Sequence, residues 1–300
     1  MHPKSKHQSD YDLAYLCTIY KSLKPFIFTN KYNNQTINFA LPEAVKALNT
    51  ALLKAYYNID YWDFPDANLC PPIPGRVDYI HYLNDLLETS NLNSDITIVD
   101  IGTGATCVYP LLGHAEYNWN FIASDVDESS LENAQKIIDK NELSNSIRLR
   151  VQIDSSKILK NVLNSSEKIT ACMCNPPFYK NETEAISATT KKLKGLRDTN
   201  DQLVRNFSGT HNELCYHGGE KAFINNYLYE SSLFKTTCFW FTTLVSNKDL
   251  VRPIKVSLKK LGATKVQVIN MSQGNKVSRI IAWTFLSETE QEAWSYILNT

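Results

Sequence analysis

Residues 175 to 178 read Asn-Pro-Pro-Phe and close the apolar run "ITACMC". Such a quartet can grip an amino group. The Asn175 side-chain oxygen accepts one hydrogen bond, and the Pro176 backbone carbonyl accepts another. Proline fixes φ and has no backbone N–H, so Pro176 and Pro177 hold both acceptors rigidly. An exocyclic NH2 has two hydrogens to give. Holding both draws the nitrogen lone pair out of conjugation and aims it at an electrophile. Phe178 offers a face on which a base can stack, an interaction worth about 1–3 kcal/mol. Methyl transfer to such an amine needs no metal and no strong base, only an in-line approach and preorganised dipoles. The quartet alone does not choose between adenine, cytosine and a glutamine side chain, and in isolation it also reads as a stiff turn capping a strand.

A second pattern lies upstream. "VDIGTGATC" ends a β-branched run with Gly102, Thr103 and Gly104. The two glycines allow a tight turn and the close backbone approach that a nucleotide-like ligand needs. A lone G-x-G is weak evidence. Cys107 stands where a third glycine would complete the nicotinamide fingerprint, and Asp100 before the turn is more typical of S-adenosylmethionine sites. Asp125 ends the next strand, at the spacing that lets a carboxylate meet two ribose hydroxyls. Asp154, in "VQIDSS", ends the third. Its carboxylate or neighbouring backbone reaches an adenine amino group or caps a helix.

These groups need elements to carry them. From about residue 94, "ITIVDIG", "NFIASDVD", "IRLRVQI", "ITACMCN" and "TTCFWFTTLV" read as strands. "SSLENAQKIIDKNEL" is an amphipathic helix that Ser129 or Ser130 would cap. "KDLVRPIKVSLKKLGA" is a helix begun or broken near Pro253. "KVQVINM" and "VSRIIAWTFL", joined by "SQGNK", are two successive strands, and "TEQEAWSYIL" is a closing helix. Strands alternating with helices predict a parallel α/β sheet, and the final pair adds one antiparallel strand. Ligands in such sheets bind outside the carboxyl ends of the strands, so the quartet and the glycine loop should face one crevice. Residues 1–93 read as a mostly helical N-terminal region and 94–300 as the α/β domain. In the first part, "LPEAVKALNTALLKAYY" aligns Leu41, Val45, Leu48, Leu52 and Ala55 on one face. "LCPPIPGR", residues 69 to 76, reads as a rigid proline-rich loop before a further helix.

Composition is that of a globular protein with 31 basic and 31 acidic residues. Zero net charge excludes a global field that would attract nucleic acid, so any basic surface is local. The seven cysteines form no Cys-x-x-Cys. Cys172 and Cys174 are too close for a zinc knuckle, and buried reduced thiols in a reducing compartment are expected. No run approaches the about 18 apolar residues of a membrane span, and "MHPKSKHQSDYDL" lacks the apolar core of a signal peptide. The expectation is a cytoplasmic monomer that meets no membrane.

Together the blocks "WDFPDANLCPPIPGRVDYIHYLNDLL", "DIGTGATCVYPLLG", "CNPPF", "ELCYHGGEKAFI" and "SQGNKVSRIIAWTF" make the chain resemble the bacterial 23S rRNA adenine N6-methyltransferases of the RlmF type, related to the METTL-sixteen-like RNA adenine methyltransferases. The resemblance covers nearly the whole chain. It implies a class I S-adenosylmethionine-dependent methyltransferase fold (Rossmann-like), with a mostly parallel seven-stranded sheet, an antiparallel last strand and a helical N-terminal extension that serves RNA. It implies S-adenosyl-L-methionine as cofactor, S-adenosyl-L-homocysteine as product, and no metal. The implied substrate is one adenine of 23S rRNA, conventionally numbered 1618, met as free rRNA or in a large-subunit assembly intermediate. Gly102 and Gly104 match the family's cofactor loop, Asp125 its ribose acid, Asn175 to Phe178 its target-base site, and Arg76 an arginine near cofactor and substrate. Asp125 departs from the family's glutamate, which leaves Asp127 as a second candidate for the ribose. Alternatives within the same motif set are another structured RNA, or a protein glutamine or small-molecule amine. A different class is an idle RNA-binding module on a methyltransferase scaffold, which would have no reason to keep both the quartet and the glycine pair.

An RNA substrate must be held by local positive charge. Three segments offer it: an N-terminal arm with His2, Lys4, Lys6 and His7; a polar stretch with Lys191, Lys192, Lys194, Arg197 and Arg205; and the final hairpin with Lys276 and Arg279. The second belongs to an insertion at about 180–215 that follows the quartet directly, where a substrate-ordered lid would sit. Such a lid would exchange amide hydrogen quickly without RNA. The turn His217-Gly218-Gly219-Glu220 reads as a helix entry, with a flap over the base pocket as the functional alternative.

Overall fold

The crevice expected between glycine loop and quartet is set by two adjacent strands. The structure, a computed structural model, describes residues 1–181, 183–184, 209–273 and 276–299. The expected lid with Lys191, Lys192, Lys194, Arg197 and Arg205 lies outside the described residues. Among the described residues, seven strands form one sheet in the order β5-β4-β3-β6-β7-β9-β8. They are β3 (Thr97–Ile101), β4 (Asn120–Asp125), β5 (Ile147–Val151), β6 (Ile169–Cys174), β7 (Cys238–Val245), β8 (Lys265–Gln273) and β9 (Lys276–Thr284). All neighbours run parallel except β9, which is antiparallel to both β7 and β8. The order reverses at β3, with β4 and β5 on one side and β6 on the other, and that reversal is where open α/β sheets bind ligands.

Sequence explains most of these elements. β6 and β7 are buried along their whole length, as central strands covered on both faces must be, and their apolar runs are accordingly continuous. Helices α4 (Val108–Tyr117) and α5 (Glu128–Lys140) fill the crossovers after β3 and β4. The cap of α5 is Asp127, whose side chain accepts the Ser129 main-chain N–H, rather than Ser129 or Ser130 as expected. A carboxylate there also complements the helix dipole, which a hydroxyl does not. Helix α6 (Gly219–Ser231) begins at the glycine turn, as the helix-entry reading requires. α7 (Val251–Leu261) carries Pro253 in its first turn, where no amide donor is needed, and α8 (Glu288–Asn299) closes the chain.

The N-terminal region departs from its mostly helical reading. Besides α1 (Leu13–Ile19) and α2 (Pro42–Tyr57), it contains an antiparallel hairpin, β1 (Ile27–Thr29) with β2 (Gln35–Ile37). The strands are three residues each, too short to show a period. The expected 69–76 loop is also shorter: α3 runs Ile73–Glu88, so Arg76 sits in a first helical turn. Prolines mark that start because the first turn has N–H groups to spare. One apolar cluster crosses residue 93. Tyr57, Trp62, Leu83 and Leu87 join Ile98, Leu111, Phe121 and Trp240, so α3 belongs to the sheet's core. A small second cluster, with Leu16, Leu23, Ile37, Leu48 and Leu52, ties α1, the hairpin and α2 together. The opposite sheet face packs Val99, Ile122, Cys172, Phe241 and Trp283 under α6 and α7. None of the seven cysteines is in a disulfide; five are buried, whereas Cys17 and Cys70 are only partly so. Among the described residues no helix is long and apolar enough to cross a membrane.

Candidate active site

The β3–β6 register pairs Ile101 with Cys174, which places Gly102 and Asn175 side by side at neighbouring strand ends. Ile101 pairs with Ser124 on the other side, which brings Asp125 to the same edge. A cleft of about 1150 Å³, part of it open to solvent, lies over these ends. Its lining joins the glycine loop, Asp125, Asn175 and Pro177, so the cofactor-type loop and the quartet share one cleft.

The cleft's floor is the glycine loop. Gly102 and Gly104 have φ of +75° and +63°, a left-handed conformation that glycine adopts without penalty. The Gly104 N–H donates to Asp125 Oδ2 at 2.8 Å, and the Asp127 N–H donates to Asp125 Oδ1 at 3.0 Å. The Asp125 carboxylate is thereby fixed on the cleft wall. Burial raises its pKa, and the N–H donors oppose that rise. Asp127 is engaged otherwise: it caps α5, accepting from Ser129 and Ser130. The structure therefore gives Asp125 the wall and Asp127 the helix. Thr103 lines the cleft between the glycines. Arg76 reaches in from α3, its Nη1 donating to the Tyr109 hydroxyl at 3.1 Å. Asp154 turns away: its carboxylate accepts the Ser156 N–H and hydroxyl, while Gln152 and Ser155 line the wall. The Asp154 carboxylate thus closes a local turn rather than capping a helix, and its neighbour Ser155 is on the wall.

Asp100 lies just behind the loop, with both oxygens buried and lacking a hydrogen-bond partner. Burial, reinforced by repulsion from Asp125, pushes its pKa up to about 7; Thr103 and Arg76 ease the charge, although Thr103 stays outside hydrogen-bond geometry. The sign of the linkage follows. The folded protein retains a proton that the unfolded chain releases near its usual carboxyl value of about 4, so this group's stabilisation is full below about pH 4 and falls until about pH 7. Asp100→Asn removes that slope. Unfolding in urea from pH 4 to 8, without ligand, should show the wild type losing a few kcal/mol relative to the mutant as pH rises.

The quartet emerges from β6 beside this loop. Asn175 Oδ1 is buried and accepts nothing, although Asn175 and Pro177 line the cleft. Buried acceptors without partners are uncommon and call for an explanation. A ligand that donates a hydrogen supplies one. Pro176 is buried, and Phe178 is 39 % exposed, its ring available to a partner. The chain then pairs with the far side of the insertion, as the Tyr179 N–H donates to Leu214 O and the Tyr216 N–H to Tyr179 O.

Known proteins resemble this chain in sequence and fold. A family model described as RNA methyltransferase matches residues 1–287. The chain belongs to this family. It is 45% identical to the ribosomal RNA large subunit methyltransferase F of Flavobacterium psychrophilum, over 99% of this chain and 96% of that one. The protein of the same name from Colwellia psychrerythraea is 44% identical, over 95% and 99%. Among solved structures, the human METTL16 catalytic domain in complex with the MAT2A 3'UTR hairpin 6 is 30% identical. It superimposes with a TM-score of 0.81, covering 96% of this chain and 98% of that one. The human METTL16 N-terminal domain in complex with SAH is 28% identical, with a TM-score of 0.75 and 96% and 99% coverage.

In this RNA methyltransferase, one further residue organises the cleft. Glu213, in a single helical turn His211–Leu214, accepts from the Leu69 N–H at 3.1 Å, Asn68 Nδ2 at 3.2 Å, and the Thr210 N–H at 2.8 Å. A Cβ on Gly104 would stand 3.4 Å from Glu213 Oε1. One carboxylate thus joins the N-terminal region to the end of the insertion, close beside the glycine loop. The Thr210-x-x-Glu213 spacing of a capping box is a local signal for it, but its bond to Leu69, 144 residues away in sequence, is not. Glu213→Ala strands main-chain donors in a part-buried site. It is expected to cost about 1–3 kcal/mol, read as a lower urea midpoint.

The basic segments are placed unequally. The N-terminal arm is not free but a strap across α3 and α4. The His2 N–H donates to Asp78, and its ring meets Asp85 at 2.8 Å. Lys4 is shared between Asp85 and Glu88, while Lys6 pairs with Glu116 at 2.6 Å over the Tyr57 ring. His7 is buried against the Tyr57 hydroxyl at 2.7 Å, and burial lowers its pKa to about 4. Lys4 and Lys6, expected at RNA, are here paired with carboxylates of this chain. Arg279 is half-buried on β9, paired with Val245 and Asn270. Lys276 begins β9, and its side chain lies outside the described residues.

Proposed function

We propose that this chain methylates the N6 amino group of a single adenine in 23S rRNA, the position conventionally numbered 1618, using S-adenosyl-L-methionine and leaving S-adenosyl-L-homocysteine. The observation that carries the reading is the buried, unpartnered Asn175 oxygen beside the glycine loop. Its relatives are named for large-subunit rRNA, and METTL16 has been solved both with an RNA hairpin and with SAH.

The residues fit such a cofactor. Gly102, Thr103 and Gly104 form a cradle without side-chain bulk at the glycines, Asp125 faces the cleft as the ribose acceptor, Arg76 supplies charge, and the buried, unpartnered Asp100 stands behind the loop. Gln152 and Ser155 are the polar groups on the adenosine wall. When bound, the cofactor supplies an electrophilic methyl group. The protein's part is to hold the amine: Asn175 and the Pro176 carbonyl accept its two hydrogens, Pro176 and Pro177 keep those acceptors still, and Phe178 stacks on the base. A target base must leave its stack, at a cost of a few kcal/mol that is smallest in loops. Phosphate contacts are assigned to Lys191, Lys192, Lys194, Arg197 and Arg279, with Lys276, because the arm's lysines are already paired. A bacterial cytoplasmic enzyme that acts as a monomer on free rRNA or an assembly intermediate fits this reading.

The test is incubation with labelled S-adenosylmethionine and unmodified 23S rRNA, naked and partly assembled. Label recovered as N6-methyladenosine at one position is expected. Label on protein glutamine, or none on RNA, overturns the reading.

A further inference from the structure

Tyr79 lies one helical turn beyond Arg76 in α3 and is fully buried. Its hydroxyl is 2.8 Å from Thr242 Oγ1 on β7, and it accepts the Cys174 main-chain N–H at 3.4 Å. Thr242 donates its own proton to Cys172 O at 2.9 Å. A hydroxyl has one hydrogen to give, so the direction is fixed: Tyr79 donates to Thr242, Thr242 donates to Cys172, and Tyr79 accepts from Cys174. The contact sits where the β6–β7 ladder stops, since the last pair is Cys172 with Phe241, two residues short of Cys174. Beyond it, two side-chain hydroxyls bridge the end of β6 to β7. Asn175 is the next residue.

We propose that Tyr79 is a positioning residue which, through Thr242, fixes the end of β6 and so aims the Asn175 oxygen. A phenylalanine would fill the same volume, and a buried hydroxyl is costly unless it is satisfied. Here it is satisfied by the strand end that carries the quartet. The same helix sends Arg76 into the cleft, so α3 governs the cofactor side and the target side from residues three apart. The inference rests on the reading of Asn175 as the amine clamp.

The experiment compares Tyr79→Phe, Thr242→Val, Thr242→Ser and the Tyr79→Phe/Thr242→Val double variant. Turnover on unmodified 23S rRNA is measured per folded enzyme, with KM for cofactor and RNA and a urea midpoint. Tyr79→Phe and Thr242→Val should each lower kcat about 10-fold, as expected for a misaimed reacting group, with both KM values within about twofold. The double variant should be no slower than the slower single one, and Thr242→Ser should keep wild-type turnover. Wild-type kcat in Tyr79→Phe at reduced stability overturns the proposal, as does multiplication of the two losses in the double. Should Tyr79→Phe not fold, the Thr242 pair decides: equal turnover in the valine and serine variants overturns it. Full activity in Asn175→Ala would defeat the clamp reading first, and is told apart because it leaves Tyr79 and Thr242 in place.

Discussion

Asn175→Ala is expected to lower kcat by about 10²-fold or more, with cofactor affinity little changed. The size follows from losing one preorganised acceptor at the place where charge develops on the amine. The structure adds a second expectation. Asn175 Oδ1 is buried and has no partner in the free protein, and such a group costs about 1–3 kcal/mol. Its removal should therefore not destabilise the fold, and the variant's urea midpoint should equal or exceed that of the wild type. An ordinary structural asparagine behaves in the opposite way, losing stability when truncated. Single-turnover methylation and equilibrium unfolding on the same preparation separate the two. A variant with normal turnover removes the clamp; one that is inactive and unstable makes Asn175 a strand terminator.

The sequence made the site's floor and its amine side legible because both are local. A glycine pair after an apolar strand, and Asn-Pro-Pro-Phe after another, announce strand ends regardless of what surrounds them, and β3 and β6 are neighbours with those ends in register. The choice between Asp125 and Asp127 could not be made from spacing, since both are acids near one strand end. The structure distinguishes them by their partners: the Gly104 and Asp127 N–H groups donate to Asp125, while Ser129 and Ser130 claim Asp127. Other parts were hidden because they depend on distant partners. Glu213 and Tyr79 look like any helix residues until Leu69 and Thr242 are brought to them. The hairpin β1–β2 was missed for its three-residue strands. The arm's ion pairs could not be read early either, because Asp85, Glu88 and Glu116 lie about 80 to 110 positions away in the chain. Chemistry that rests on residue type can be read early; chemistry that rests on who meets whom needs the fold.

The other large effect is expected on the cofactor. Asp125→Ala should weaken S-adenosylmethionine and S-adenosylhomocysteine binding by about 10²-fold or more, measured by calorimetry. Two losses combine. A carboxylate bonded to ribose hydroxyls contributes roughly 1.5–3 kcal/mol per charged hydrogen bond, and the glycine loop loses the anchor that the Gly104 N–H now has at 2.8 Å. Asp125→Asn should recover little. Both carboxylate oxygens accept main-chain N–H groups, and an amide has one oxygen, so one donor would face an NH2. Asp125→Glu keeps both acceptors and the charge, and should retain more affinity than either. Asp127→Ala is the control: it removes the cap of α5, at a cost of about 1 kcal/mol in stability, and should leave cofactor affinity unchanged. The reverse pattern, with affinity lost at Asp127 and kept at Asp125, would return the ribose to Asp127 and require α5 to exchange its cap when the cofactor binds. The hydrogen bonds favour the first outcome, because Asp125 is held facing the cleft before any ligand arrives, whereas Asp127 would have to abandon two serines to reach it.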